Sequence, residues 1–316
     1  MRVLLSSLLT AATLCAADPT LVNLIGPDAK VIAGADIDRV KNSPLGQFVL
    51  SQLKMSESEM DKVVEMTGFD PRRDLREVLV ATRGTGKDGE PVMFLRGTFD
   101  QSRIAALVAT HGGEALAYQG FSVLTGPSGG KDHPWIAFAG TGIVAGQEAA
   151  VKAALDRQRA GQKTDPALAA RLQSVSSRYD AWVFSTVSPA DLAPKPGPAT
   201  GQSNDTSAML NGTLVQGIEE IAIGFKLGAM IEIGGEATAR SDKDAQALVD
   251  VVKFLASMAA SNQPPSAPTA SILNSFQASA DGRTVKFAMS VPQNDIEKLL
   301  PPSGGRVMKK KPVVLR

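Results

Sequence analysis

Four stretches of the chain hold residue types that could do chemistry. Gly126-Pro127-Ser128-Gly129-Gly130 fits G-x-S-x-G, the elbow that exposes a nucleophilic serine between a strand and a helix, with its acid and histidine later in the chain. Here a second strand pattern follows instead of a helix, and the histidine after Ser128 is His133, in the same loop. A hairpin tip is the main reading, and a secreted serine hydrolase using Ser128 is the alternative. Gly84-Thr85-Gly86-Lys87 ends like a phosphate-binding loop, but that loop requires a glycine where Ala81 stands, a Ser or Thr where Asp88 stands, and a helix to follow. It too reads as a turn. Asp36, Asp38 and Asn42 offer oxygens for Ca²⁺, yet neither the turn glycine nor the closing glutamate of such a loop follows, and a strand end leading into a helix accounts for the acids. Neither His111 nor His133 has a second His or Cys at a ligand interval. At the end of a helix, His111 can favour the dipole. These patterns name no catalytic, cofactor-binding or metal-ligating residue, and they imply no cofactor.

Composition narrows the partners. The 316 residues are 43% hydrophobic and 21% charged, ordinary values for a globular chain. A formal net charge of +1 gives no electrostatic footprint for nucleic acid. Aromatics at 5% leave few rings for stacking on bases or sugars. Arg2, the apolar run from Val3 to Leu14, and Cys15-Ala16-Ala17 resemble a secretory signal peptide, with cleavage expected after Ala17. A lipoprotein signal would instead want a small residue where Leu14 stands. The apolar run is shorter than the roughly 20 residues a spanning helix needs, so no integral membrane span is expected in the mature chain. The expected location is secreted or periplasmic. Cys15 is the one cysteine, so no disulfide can form within the chain. Lys309-Lys310-Lys311 lies in a C-terminal tail read as flexible and solvated.

The elements that would position any site are hairpins and the helices after them. Residues 77–83 and 91–98 read as two strands around a glycine-rich turn. Asp100 then caps a helix with Ile104, Leu107, Val108 and His111 on one face, ending at Gly112-Gly113. Residues 220–226 and 230–238 echo that hairpin, and Ser241 caps a helix with Ala245, Leu248, Val249, Val252 and Leu255 in register. Before the first hairpin come a strand at 29–37, a helix started by Ser43-Pro44, and a helix with a capping box at Ser56 and Glu59 that ends at Gly68. After the first unit's helix, 118–125 and 135–144 read as two strands, then 147–157 and 167–175 as helices, the latter capped by Asp165. The second half opens on a strand at 181–187, a Pro, Gly and Ser-rich loop at 188–206 and a short helix at 207–216. It closes on strands 272–280 and 284–291 about Asp281-Gly282 and a short helix at 295–300. Val78, Val80, Leu107, Leu248 and Val252 are the expected core.

The expected fold is α+β: two tandem repeats of strand-helix-hairpin-helix-hairpin, mainly antiparallel sheets with helices on one face. The divisions are a signal peptide at 1–17, units at 18–177 and 178–300, and a basic tail at 301–316. Gly34-Ala35-Asp36-Ile37, Ser43-Pro44-Leu45-Gly46, and Gly68-Phe69-Asp70-Pro71 followed by Asp74-Leu75 resemble the pattern of uncharacterised secreted bacterial proteins built from such duplicated units. That resemblance implies no known activity. The functional expectation is a non-catalytic exported protein, with an apolar small molecule or an envelope protein as partner, bound where the two halves meet.

Overall fold

The computed structural model describes residues 17–52, 57–84, 89–127, 134–188, 216–261 and 268–299. The leader up to Ala16, Ser56, Lys87, Ser128, His133, residues 189–215 and the basic tail lie outside them. The strands are β1 (Val31–Asp36), β2 (Leu75–Thr82), β3 (Val92–Gly97), β4 (Glu114–Tyr118), β5 (Phe121–Thr125), β6 (Trp135–Ala139), β7 (Gly142–Gly146), β8 (Ala181–Ser185), β9 (Ile218–Leu227), β10 (Met230–Ala239), β11 (Gln277–Asp281) and β12 (Thr284–Pro292). They form one sheet in the order β11-β12-β10-β9-β8-β1-β2-β3-β7-β6-β5-β4. Neighbouring strands pair antiparallel throughout, including β1 with β8 at the centre. The helices are α1 (Pro19–Val22), α2 (Ile37–Asn42), α3 (Pro44–Gln52), α4 (Glu57–Thr67), α5 (Pro71–Asp74), α6 (Gln101–Thr110), α7 (Glu148–Arg159), α8 (Pro166–Arg178), α9 (Asp242–Ser261), α10 (Pro268–Ser275) and α11 (Gln293–Leu299). Mixed helices and one large antiparallel sheet make the chain α+β.

Side-chain caps fix several helix starts, each meeting an amide the first turn would leave orphaned. Asp100 accepts from the Arg103 N–H at 3.0 Å, Asp165 from Ala167 and Leu168 at 2.9 and 3.0 Å, and Ser241 from Asp244 at 3.1 Å. Ser43 Oγ accepts from the Gly46 N–H at 2.9 Å, with Pro44 opening α3.

Register decides which side chains share a face of the sheet. Thr82, Val31, Ser185, Ile221, Ala237 and Val285 are successive direct partners across six strands, so they project to one side. Ile32, Leu79, Phe94, Val144 and Phe184 belong to the alternate set and project to the other. There they meet Ala150, Val151, Ala154 and Leu155 of α7, Leu172 and Val175 of α8, and Leu21 and Val22 of α1 in one buried cluster. Each fully buried large side chain in it contributes about 1.5–3 kcal/mol of transfer free energy. Ala245, Leu248 and Val249 of α9 pack instead on Ala237, Ala239 and Val285, on the opposite face. Helices therefore cover both faces, not the one expected. Because the apolar strands offer two faces, the α7 and α8 layer buries Leu79 and Ala81, while Val78 and Val80 turn to the other side and are only partly buried. Of the expected core, Leu248 is buried; Leu107 and Val252 are partly exposed.

Other departures have local causes. Where one strand was expected over 118–125, residues 114–125 make a hairpin, because Gln119 (φ 54°) and Gly120 (φ 88°) both adopt left-handed backbone and reverse the chain in two residues. Gly140 (φ 64°) does the same within 135–144, separating β6 from β7. Residues 272–275 are the end of α10, which Pro268 begins, so the strand there starts at Gln277. Asp70 caps one extra helical turn, α5, before β2.

Candidate functional site

Two cavities lie in the second half of the sheet. The larger, about 450 Å³, is lined by Arg171, Ser174 and Arg178 of α8 and, on the strands, by Phe184, Glu220, Ala222, Glu236, Thr238 and Thr284. Its floor is the sheet face that α8 only partly covers: Glu220 pairs with Thr238 across β9 and β10, and Glu236 with Ala222. The charges here neutralise one another. Arg178 Nη1 is 3.2 Å from Glu236, Arg171 pairs with Glu220, and Arg283, also in the lining, pairs with Glu219. Every arginine of the lining thus has a carboxylate, so an anion entering would compete with three existing ion pairs.

The second cavity, about 290 Å³, is a groove lined by Val252, Leu255, Ala256 and Ala259 of α9, Ile272 and Leu273 of α10, Phe276, and Met289 of β12. Its origin is a mismatch of lengths. The positions 245, 248, 249, 252, 255, 256 and 259 form one apolar stripe along the 20 residues of α9, a helix about 30 Å long. Only Ala245, Leu248 and Val249, in its first half, are buried. Past Val249 the stripe outruns the floor that Ala237, Ala239 and Val285 supply, and α10 returns alongside it through Ile272 and Leu273, leaving a trough between the two helices. Met289 lies on the same sheet face as Val285, four residues along the strand. On the far side of α9, Phe254 and Met258 stand 57% and 45% exposed, one turn apart.

The residues singled out by sequence lie elsewhere. Asp36 caps α2, accepting from the Arg39 N–H at 3.0 Å, and Asp38 pairs with Lys41 and Arg76. His111 is the C-cap of α6, its Nδ1 2.9 Å from the Leu107 carbonyl. The structure brings none of these to either cavity. The groove itself was signalled in part by the α9 stripe, whose Val252 and Leu255 line it. The α10 wall was not, because 272–275 reads as strand. The charged cavity lies between α8 and strands β9 and β10, close to the 177/178 division read from the sequence, and the apolar groove lies apart from it. Among the described residues no helix is long and apolar enough to cross a membrane.

No protein-family model matches the chain, and no curated protein matches it. Among solved structures it is similar to crystal form IV of TP0453, at 10% identity and a TM-score of 0.50, covering 89% of this chain and 96% of that one. Crystal form I of TP0453 aligns at 10% identity and a TM-score of 0.48, covering 90% of this chain and 97% of that one. At this identity the likeness concerns the fold alone.

Proposed function

We propose that this is an exported, non-catalytic protein that holds the aliphatic part of a small molecule in the groove between α9 and α10. The observation that carries the reading is the chemistry of the groove: all eight lining residues are apolar, and its volume of about 290 Å³ stands at the lower edge of small-molecule sites. Export rests on the leader reading of residues 1–17. The test is displacement of a fluorescent fatty-acid analogue from the mature protein. Leu255→Arg, which puts a cation on the groove wall, weakens binding at least tenfold on this reading, while Arg178→Ala, on the charged cavity, leaves it unchanged. Equal binding by Leu255→Arg and the unsubstituted chain would overturn it.

The same proposal includes a tandem duplication, with the units meeting between α8 and β8. What supports it is the strand order: outward from the central β1 and β8 pair, β1-β2-β3-β7-β6 corresponds to β8-β9-β10-β12-β11. Val78 and Val80 of β2 and Ile221 and Ile223 of β9 also share one face. The β4 and β5 hairpin is then an addition to the first unit.

A further inference from the structure

Of the buried carboxylates outside both cavities, the one on β2 is the least exposed. Glu77 is 5% exposed and sits on β2 opposite Arg96 of β3. Arg96 Nε donates to Glu77 Oε2 at 2.9 Å and lies 3.5 Å from Asp18 Oδ2, so one guanidinium serves two carboxylates. Asp36, which lines the same small pocket of about 70 Å³, is engaged with the α2 cap and with Arg39. Tyr179 also faces this pocket and adds no cation. The other partner of Glu77 is main chain: the Asp18 N–H lies 3.1 Å from Oε1 and 3.3 Å from Oε2. One amide hydrogen straddles two carboxylate oxygens there. An ammonium at the same nitrogen would bring three hydrogens and a full charge.

We propose that cleavage of the Ala17–Asp18 bond during export turns this amide nitrogen into an α-ammonium that forms a buried ion pair with Glu77. The proposal rests on the leader reading of residues 1–17. In the step, water adds across the peptide bond under an export peptidase; the leader departs with the Ala17 carboxylate, and the proton released goes to the Asp18 amine. The pocket is then balanced, with Glu77 and Asp18 against Arg96 and the ammonium. Before cleavage Ala17 is buried in this pocket, its N–H donating to Ser176 Oγ at 2.9 Å. Cleavage therefore precedes folding, and the space Ala17 leaves receives the third ammonium hydrogen beside Ser176. Burial pushes the Glu77 carboxyl above the ordinary carboxylate range, outweighing the hydrogen bonds from Arg96 and the Asp18 amide.

Two measurements separate the two layers. N-terminal sequencing of the exported protein gives Asp18; any other first residue overturns the cleavage reading. Independently, the chain is produced with Asp18 first by scarless removal of a fusion and compared with the same chain N-acetylated, which keeps an N–H but removes the charge. The α-amine should titrate at least one unit above its ordinary value of about 7.7–8.0, a tenfold tighter hold on its proton. Glu77→Gln should return it to that value, and the acetylated chain, which keeps Glu77 and so stands in should Glu77→Gln not fold, should melt lower. An ordinary amine titration with unchanged melting on acetylation would overturn the pairing, whatever the first residue proves to be.

Discussion

The two ends of the sheet bury different faces, and they bury them unequally. Toward β7, the α7 and α8 layer seals a cluster of 22 buried residues among those described, with Leu79, Phe94, Leu155 and Leu172 fully inaccessible. Toward β12, α9 seals a cluster of seven on the other face, and the side that α7 and α8 would have covered carries Glu220, Glu236 and Thr238. A sheet covered by two helices in one region is a scaffold there. A sheet covered by half of one long helix leaves apolar surface unburied, and that surplus forms the groove.

The comparison breaks most sharply through truncation. Phe94→Ala, at 0% exposure inside the larger cluster, should cost about 3–5 kcal/mol, while Leu248→Ala, at 7% in the smaller, should sit near the lower limit of about 2 kcal/mol. Urea unfolding of the two variants checks the order; equal losses would erase the distinction between the regions.

A smaller effect tests how α8 is tied to β9 and β10. Tyr179 lies over Gly224 and Gly234, which pair directly, and a Cβ on Gly224 would come 2.0 Å from Tyr179 Cδ2. Gly224→Ala should cost about 1–3 kcal/mol by overpacking, read as a lowered denaturation midpoint.

Acid sharpens the comparison from the first half. The Asp74 carboxylate pairs with Arg73 at 2.7 and 2.8 Å and accepts the Asp70 N–H at 2.8 Å, and the Arg73 hydrogen bond, then the Asp70 amide, hold it below the ordinary carboxylate range. Asp70 is lowered likewise, chiefly by Arg72. A carboxylate with a depressed folded pKa stabilises above its unfolded value, near 3.8 here, and that contribution is lost as pH falls through the folded pKa. Asp74→Asn should therefore flatten the stability curve below about pH 4 and leave its shape at pH 6 to 8 unchanged.

Smallest of all, Arg178→Ala should cost only about 0.2–1 kcal/mol, because its pair with Glu236 is solvent-exposed. A larger loss would mean that the charged cavity is structural.

The β2-β3, β9-β10 and β11-β12 hairpins, the caps at Ser43, Asp100, Asp165 and Ser241, and the antiparallel α+β class were legible because they depend on local pattern: alternation, a polar cap, a turn glycine. The choice of face was not. Val78-Leu79-Val80-Ala81 is apolar on both sides, and only the position of α7 and α8, set by the pairing of β3 with β7 and of β1 with β8 far apart in sequence, decides that Leu79 is core and Val80 is not. The Gln119-Gly120 reversal was hidden because glutamine at positive φ leaves no compositional mark. The groove was half legible: the α9 stripe was clear, but that it outruns its floor is a fact of strand length and register.

The most direct test of the groove is methyl-resolved NMR of the protein titrated with a medium-chain fatty acid. The account predicts that resonances of Leu255, Ile272, Leu273 and Met289 move together and saturably while those of Leu79 and Leu155 stay fixed. Perturbation centred on the charged cavity at Arg171 and Glu236, or no saturable shift at the four groove methyls, would contradict it.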